Sequence, residues 1–193
     1  MKLMNTSDIK NGLIIGGLIV IAALSRLIDH PMNFTPIGAI ILFGAAVIPN
    51  KILKFTFPFS VILFSDFLIE IISGFGFHSG TLIVYFGYAV IFLLGYFYLK
   101  NFSPFKIVIA SLLGSSLFFL LTNFSFFYPS ALVSNPALGI YSRDLSGILT
   151  SYSAGVPFFK NMLVGDLIFN GLLFGAFYLF KAIKVLKITN TNY

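Results

Sequence analysis

The chain has 193 residues, of which 58% are apolar and only 9% charged, and its mean hydropathy of +0.99 lies far above that of soluble domains. The net charge of +6 comes from lysines in short loops and tails, where they meet lipid headgroups, so it does not indicate nucleic-acid binding. The absence of cysteine excludes disulfides, thiolate metal sites and cysteine nucleophiles.

Apolar runs of near bilayer-spanning length recur along the chain, and they are continuous rather than alternating, which favours helices over a β-barrel. We therefore predict an all-α integral membrane protein in which residues 1–193 form a single transmembrane domain, a bundle of six helices. The predicted helices run from about Gly12 to Leu27, Pro36 to Pro49, Phe55 to Phe75, Gly80 to Leu99 and Phe105 to Phe126, and from after Pro157 to near Phe180. The segment from Phe127 to Val156 is predicted to be one long loop with a short helix around Arg143 to Thr150.

The second predicted helix is short, because about 14 residues rise only ~21 Å, against a hydrocarbon core of ~30 Å. It either spans the membrane or forms a re-entrant segment, and the positive-inside rule separates the two cases. If it does not span, the inner side holds four basic residues and the outer side eight. If it spans, the outer side holds three, Arg26, Arg143 and Lys160, and the inner side nine: Lys2, Lys10, Lys51, Lys54, Lys100, Lys106, Lys181, Lys184 and Lys187. The rule therefore predicts a spanning helix 2 and two cytoplasmic termini.

Three of the six acidic residues lie inside predicted spans, namely Asp66 and Glu70 in the third helix and Asp166 in the sixth. A carboxylate in hydrocarbon costs at least a few kcal/mol unless it faces a partner or a wet cavity, so such residues indicate a functional site. Asp66 and Glu70 are four residues apart and share a helix face.

The predicted topology brings the polar side chains of the spans to the outer half of the bundle. This asymmetry favours a cavity open to the outside over a continuous channel, which needs polar lining at both depths. The predicted substrate-binding residues are Arg26, Asn33, Asp66, Glu70, Asn123 and Asp166. The alternative is that Arg26 pairs with Asp66, Glu70 or Asp166 and locks helices together, and the sequence leaves that choice open.

Small residues recur at four-residue spacing as Gly12 and Gly16 in the first helix and Gly171 and Gly175 in the sixth. Such pairs let helices approach closely. Packing within the bundle is one interpretation, and a docking face for a partner membrane protein is the other.

No motif of soluble-enzyme chemistry occurs, since the chain has no Walker A loop, no HExxH and no GxSxG. Gly165-Asp166 resembles the Gly-Asp of intramembrane aspartyl proteases, with Asp66 as a conceivable second aspartate, but a dipeptide is a weak signal. We therefore expect no enzymatic activity, no cofactor and no metal site.

Several stretches between about Arg26 and Phe177 have the character of a known family: Asn33–Ala39 with Leu42–Ala45, Ser65-Asp66, Ser115–Phe119 with Thr122–Phe124, and Val156–Asn161 with Gly165–Leu167. They resemble a family of small bacterial membrane proteins of unknown function. That family is in turn distantly similar to the S components of energy-coupling-factor (ECF) vitamin transporters. The resemblance implies six helices, an outward-facing pocket roofed by loops, and a small-residue face on helix 1, here Gly12 and Gly16, that docks the transporter's membrane subunit. A cobalt-ligating cysteine found in cobalamin-binding relatives has no counterpart here.

We therefore expect a substrate-binding subunit or solitary carrier for uptake of a small vitamin-like solute across the cytoplasmic (inner) membrane. Its lid would be the loops around Asn33 and from Pro129 to Pro157. The expected partners are the solute, the lipid bilayer, and an ECF-type membrane subunit with its ATPases, and no nucleic acid. The alternative is a non-transporting scaffold of the cell envelope, in which the buried carboxylates are internal struts.

Overall fold

Six α-helices make up the computed structural model, which describes residues 6–78, 80–124 and 141–191, with side chains from residue 10 to residue 183 of these ranges. A 3-10 turn, Ser25–Leu27, follows the first helix. The helices are α1 (Thr6–Leu24), α2 (Ile37–Val47), α3 (Leu53–Ser73), α4 (Thr81–Tyr98), α5 (Pro104–Asn123) and α6 (Leu145–Thr191). The all-helical prediction is confirmed, since no strand occurs in the ranges described.

The short helix α2 lies at the centre of the bundle and packs against all five other helices. Ten of its eleven residues are buried. Its rise is only about 17 Å, little more than half of a hydrocarbon core. The other five helices are long and apolar enough to cross a membrane, so the chain is a multi-pass membrane protein. The segment was predicted as a sixth span because it is wholly apolar, and it is wholly apolar because it forms the core of the bundle.

The last helix differs from the prediction in both directions. It was expected to begin after Pro157 and end near Phe180, but α6 runs without interruption from Leu145 to Thr191, through Pro157. The predicted loop is therefore helical over residues 145–156, and the short helix expected around Arg143 to Thr150 is the first part of α6. The rest of that loop, residues 127–140 with Pro129, lies outside the described residues.

Contacts with α5 on both sides of Pro157 explain why the helix continues. Tyr152 donates a hydrogen bond to the Leu120 carbonyl at 2.8 Å, and Ser151 donates one to the Asn123 carbonyl at 2.7 Å. The Phe119 ring stacks on Phe159 at 4.4 Å. Proline removes one backbone hydrogen bond, and neighbouring helices in a membrane compensate for that loss. Local sequence cannot show such compensation, which is why the proline suggested a helix start.

The two ends of the bundle differ in charge. At the end formed by the α4–α5 connection, four lysines lie over aromatic rings, an arrangement that keeps the ammonium groups at a membrane surface while the side-chain stems stay in apolar surroundings. The distances from Nζ to the ring centroid are 5.3 Å for Lys54 and Tyr96, 5.7 Å for Lys100 and Phe97, 5.8 Å for Lys106 and Tyr98, and 4.7 Å for Lys181 and Phe177. The opposite end holds Arg26 and the α3–α4 connection.

The lysine-rich end is predicted to face the cytoplasm, because basic residues are retained on that side. Alkaline phosphatase fused after Asn101 should therefore be inactive, and green fluorescent protein at the same site should fluoresce. Phosphatase fused after Phe77 should be active and serves as the control. Active phosphatase at Asn101 would reverse the orientation.

The start of α6 is capped by Asp144, which lies outside the spans. Its Oδ1 accepts hydrogen bonds from the Ser142 hydroxyl at 2.6 Å and from the Gly147 N–H at 2.8 Å. These two bonds lower the pKa of the Asp144 carboxyl, the Ser142 bond most. A carboxyl with a lowered folded-state pKa stabilises the helix end above its unfolded pKa, and loses that effect as the pH falls through the lowered value.

Asp144→Ala should therefore fray the first turn of α6 at neutral pH, and acid should fray it in the unmodified protein. Hydrogen–deuterium exchange of peptides covering residues 144–150 measures both effects. Arg143→Gln, one residue away, should leave exchange unchanged. Equal protection in Asp144→Ala and the unmodified chain would show that the cap does not hold this end.

Candidate functional site

Two clusters of polar side chains lie inside the bundle, in the half that contains the 3-10 turn. We call them the ion-pair cluster (Arg26, Ser65, Asp66 and Tyr85) and the Asp166 cluster (Ser111, Ser115, Asp166 and Asn170). They draw on the 3-10 turn and on α3, α4, α5 and α6. Each cluster therefore joins helices that are distant in sequence.

The ion-pair cluster is centred on a salt bridge between Arg26 and Asp66. The distance between Arg26 Nη2 and Asp66 Oδ1 is 2.6 Å, and the two side chains are only 10% and 8% exposed. Arg26 also donates a hydrogen bond from Nη1 to the Ser65 hydroxyl, and the Tyr85 hydroxyl donates one to Asp66 Oδ2 at 2.5 Å. The open question of which carboxylate pairs with Arg26 is thus answered: it is Asp66.

One donor of this cluster is not used within the described protein. Arg26 Nε is buried and has no hydrogen-bond partner there. A buried unpaired donor costs about 1–3 kcal/mol, and more when the group is charged. Such a group is either tolerated at that cost or completed by something else that binds.

The Asp166 cluster holds the start of α2. Asp166 is 3% exposed, and its Oδ2 accepts a hydrogen bond from the Ser115 hydroxyl at 2.6 Å. The carboxyl also lies against the first turn of α2, beside Gly38 and the backbone N–H of Ala39. Pro36 precedes α2 and offers no side-chain cap. Asp166 therefore places a charged acceptor from another helix next to the first N–H groups of α2, which lack intrahelical partners.

Gly38 makes this close approach feasible. A Cβ built on Gly38 would lie 2.8 Å from Asp166 Oδ2, well inside van der Waals contact. Any side chain at this position would push the carboxylate off the helix end. In the sequence Pro36-Ile37-Gly38, the proline favours the start of a helix, and the glycine leaves room for the Asp166 side chain of α6.

Asn170 lies one turn along α6 from Asp166 and is 1% exposed. Its Nδ2 donates to the Asp166 carbonyl at 2.9 Å and to the Ser111 hydroxyl at 3.2 Å. Its Oδ1 is buried without a partner among the described residues. The cluster therefore joins α5 to α6 and leaves one acceptor unsatisfied.

An aromatic ladder connects the two clusters. The Tyr85 and Tyr88 rings are 5.5 Å apart, and Tyr88 stacks on Phe118 at 5.3 Å with an interplanar angle of 13°. Arg26, Asp66 and Asp166 all act electrostatically on Tyr88. Tyr88 therefore lies near both clusters. Among the described residues, no group of three or more His, Asp or Glu side chains lies close enough together to hold a metal ion.

The family model that matches the chain covers residues 7–188. The chain belongs to DUF6580, a family of unknown function. No curated protein and no solved structure matches it. Membership in an uncharacterised family, predicted from the motifs, is thereby confirmed, and it brings no established activity with it.

Three predicted site residues of this DUF6580 protein make their contacts outside the two clusters. Glu70 accepts a hydrogen bond from the Phe77 N–H at 3.0 Å and so fixes the α3–α4 connection. Asn123 joins α5 to α6 through its carbonyl, which accepts from Ser151. Asn33 is exposed in the loop before α2, with φ at 63°. These residues bear on the loops rather than on the buried polar layer.

The hydroxyl partners were missed from sequence. Ser65, Tyr85 and Ser115 complete the two clusters, yet only their carboxylate and arginine partners stood out. Serine inside an apolar helix is a recognised sign of an interhelical hydrogen bond, so Ser65 and Ser115 were findable in principle. Tyr85 was not, because the chain holds 9 tyrosines and nothing local separates this one from the rest.

The glycine pairs do not act alike. A Cβ built on Gly16 would lie 3.5 Å from Cζ of the Phe57 ring in α3, so Gly16 packs within the bundle. Gly12, Gly171 and Gly175 have nothing within 4 Å of an added Cβ among the described residues. Packing within the bundle, the first of the two interpretations, therefore holds for Gly16 alone.

Breaking the salt bridge on one side should be costly. Arg26→Met leaves Asp66 buried without its cation, which should lower the free energy of unfolding by about 3–5 kcal/mol. The double variant Arg26→Met/Asp66→Leu removes both charges and should recover most of that loss, since apolar side chains of similar volume replace buried ion pairs well.

Thermal unfolding of purified protein in detergent measures both variants. Lys100→Met, which removes a charge at an exposed position of the lysine-rich end, is the matched control and should cost at most about 1 kcal/mol, the worth of an exposed contact with the Phe97 ring. A single variant as stable as the unmodified protein would mean that the pair does not hold the bundle together.

Proposed function

We propose that this protein is the substrate-binding subunit of a transporter, or a solitary carrier, that takes up a small vitamin-like solute across the cytoplasmic membrane. The observation that carries the proposal is the buried Arg26 Nε without a partner. An arginine that served only as a strut gains nothing from leaving a charged donor unpaired in hydrocarbon. A ligand with a carboxylate or carbonyl oxygen would complete it.

The surroundings of Arg26 suit an organic ligand. Binding sites for small molecules combine apolar and aromatic walls with a few placed polar groups. Here Arg26 and Asp66 supply the polar groups, and the ladder of Tyr85, Tyr88 and Phe118 supplies flat aromatic surface.

The loop before α2 has the position of a lid. Asn161 on α6 donates a hydrogen bond to the Met32 carbonyl at 3.0 Å, and Phe34 packs against Phe169 at 5.6 Å. These contacts hold residues 28–36 next to the start of α2 and the Asp166 cluster. In the proposed cycle, solute enters from the outer side past this loop, the bundle reorients, and solute leaves on the cytoplasmic side.

Energy for that cycle would come from a partner ATPase or from a gradient. The resemblance to ECF S components favours a partner membrane subunit docked on the Gly12 and Gly16 face of α1. A Cβ added at Gly12 would meet no described atom within 4 Å, so α1 leaves room for another helix there, whereas Gly16 already packs against Phe57.

A second candidate is a non-transporting scaffold of the cell envelope. The observation in its favour is that both buried carboxylates already have partners inside the protein: Asp66 has Arg26 and Tyr85, and Asp166 has Ser115 and the start of α2. Under this hypothesis the two clusters only hold helices together. Stable protein partners and no bound small molecule after purification would favour it.

Mass spectrometry of small molecules that copurify with the protein should identify a solute, and radiolabelled uptake then measures its transport. Asp66→Asn/Asp166→Asn should abolish uptake while the protein still inserts. Because that variant leaves Arg26 unpaired, Arg26→Met/Asp66→Leu is the second test: it should fold and lose the copurifying solute. Asp144→Asn, the same kind of change outside the spans, should transport normally.

Uptake that persists in both double variants would overturn the assignment of the binding site. Absence of any copurifying solute, together with uptake unaffected by deletion of the gene, would overturn the transport proposal itself.

A further inference from the structure

We propose that Asp166 is a proton-binding site, whose carboxyl group takes up and releases a proton at the buried start of α2. The inference does not depend on the identity of a solute or on transport. The proton comes from water and returns to water, so no redox partner is involved. Three observations support it: the charge balance, the hydrogen bonds available to each protonation state, and the attachment to α2.

Asp166 has no cation as a partner among the described residues. The positive charge of Arg26 is taken by Asp66 at 2.6 Å, and among the described residues no cation forms a salt bridge with Asp166. A carboxylate in hydrocarbon without a cation is costly, and binding a proton removes the charge.

The neighbours of Asp166 offer no competing site for that proton. The side facing α2 consists of Gly38 and the Ala39 backbone, and α5 contributes the hydroxyl groups of Ser111 and Ser115. The loop before α2 contributes the backbone of Phe34 and Thr35 beside Gly165, and α6 itself contributes Asn170. From α4, the titratable side chain within electrostatic range of Asp166 is Tyr88, which is also within range of Arg26 and Asp66, and these two are paired with each other.

Ser115 can serve both protonation states. Its Oγ lies 2.6 Å from Asp166 Oδ2 and 3.0 Å from the Ser111 carbonyl oxygen. When Asp166 is ionised, the Ser115 hydroxyl donates to it. When Asp166 is protonated, its O–H donates to Ser115 Oγ, and the serine turns its own hydrogen to the Ser111 carbonyl. Neither state leaves a hydrogen bond of this pair unmade, which is what a group that changes its protonation inside a protein requires.

Opposing forces keep both states accessible. Burial favours the neutral acid. The positive end of α2 and the Ser115 hydroxyl favour the carboxylate. A purely structural cap needs only the second influence, and is better placed near water.

Because Asp166 lies against the first turn of α2, a change in its protonation should change how firmly that turn is held. The ionised carboxylate lies against the first turn of α2 and attracts its positive end, whereas the neutral acid is a much weaker partner for a helix N-terminus. Protonation should therefore loosen the start of α2 and the loop of residues 28–36 that leads into it. Because α2 packs against all five other helices, this loosening reaches the whole outer half of the bundle.

Infrared difference spectroscopy of the full-length protein in lipid tests the proposal directly. Titration should reveal the carbonyl stretch of a protonated carboxylic acid that disappears as the pH rises. Asp166→Asn should lack this band, whereas Glu70→Gln and Asp144→Asn should keep it. Ser115→Ala, which removes a donor to the ionised form, should keep the band and move its midpoint to higher pH.

The Ser115→Ala shift keeps the test decisive if Asp166→Asn does not fold, because that variant leaves the carboxyl in place. A band that survives in Asp166→Asn, or a midpoint unmoved by Ser115→Ala, would assign the proton to another group. A spectrum without any titrating carboxyl band would make Asp166 a permanent cap. A signal that responds to exchange of sodium for choline at constant pH would show that a metal ion, not a proton, binds there.

Discussion

The structure depends on how a helix can begin inside a membrane. The first four N–H groups of any helix lack intrahelical acceptors, and water cannot supply them in hydrocarbon. Helix α2 is too short to bring both ends to the surface, so its first turn must find acceptors within the bundle. Asp166 of α6 places a carboxylate beside these N–H groups, and the absence of a side chain at Gly38 allows this approach. Loss of the Asp166 carboxylate, or a side chain at Gly38 that displaced it, would leave the first N–H groups of α2 buried without an acceptor.

Placing a carboxylate at the start of α2 also places a negative charge inside the bundle. A carboxylate suits the partial positive charge of a helix start, but it carries a full negative charge where the dielectric is low. The charge of Asp66 is balanced by Arg26, Tyr85 donates a further hydrogen bond to this carboxylate, and Ser65 accepts one from Arg26. Within the described residues, Asp166 has the Ser115 hydroxyl as a donor and the Ala39 N–H nearby, and it has no cation. The two carboxylates are both buried but differ in their partners, because Asp66 has a cation and Asp166 has none among the described residues.

Sequence reasoning found the polar residues but not their partners, for a physical reason. The cost of a charge in hydrocarbon makes Arg26, Asp66 and Asp166 conspicuous in any apolar run. Which of them meet depends on helix rotation and crossing, which apolar segments do not encode locally. The same limit explains the error at Pro157, where contacts of Ser151, Tyr152 and Phe159 with α5 sustain a helix that local rules would end.

The opposite end of α2 shows why change should be confined to the polar half. There Phe43 packs edge to face against Phe174 at 5.2 Å and Phe177 at 5.8 Å, and Phe102 adds a further ring contact to Phe174 at 5.3 Å. Such apolar packing has no protonation state and resists small displacements. The start of α2 is held instead by a few directional bonds to one ionisable group. A helix anchored by rings at one end and by a carboxylate at the other has a fixed point and a releasable one, so its movement should be a tilt about the aromatic end.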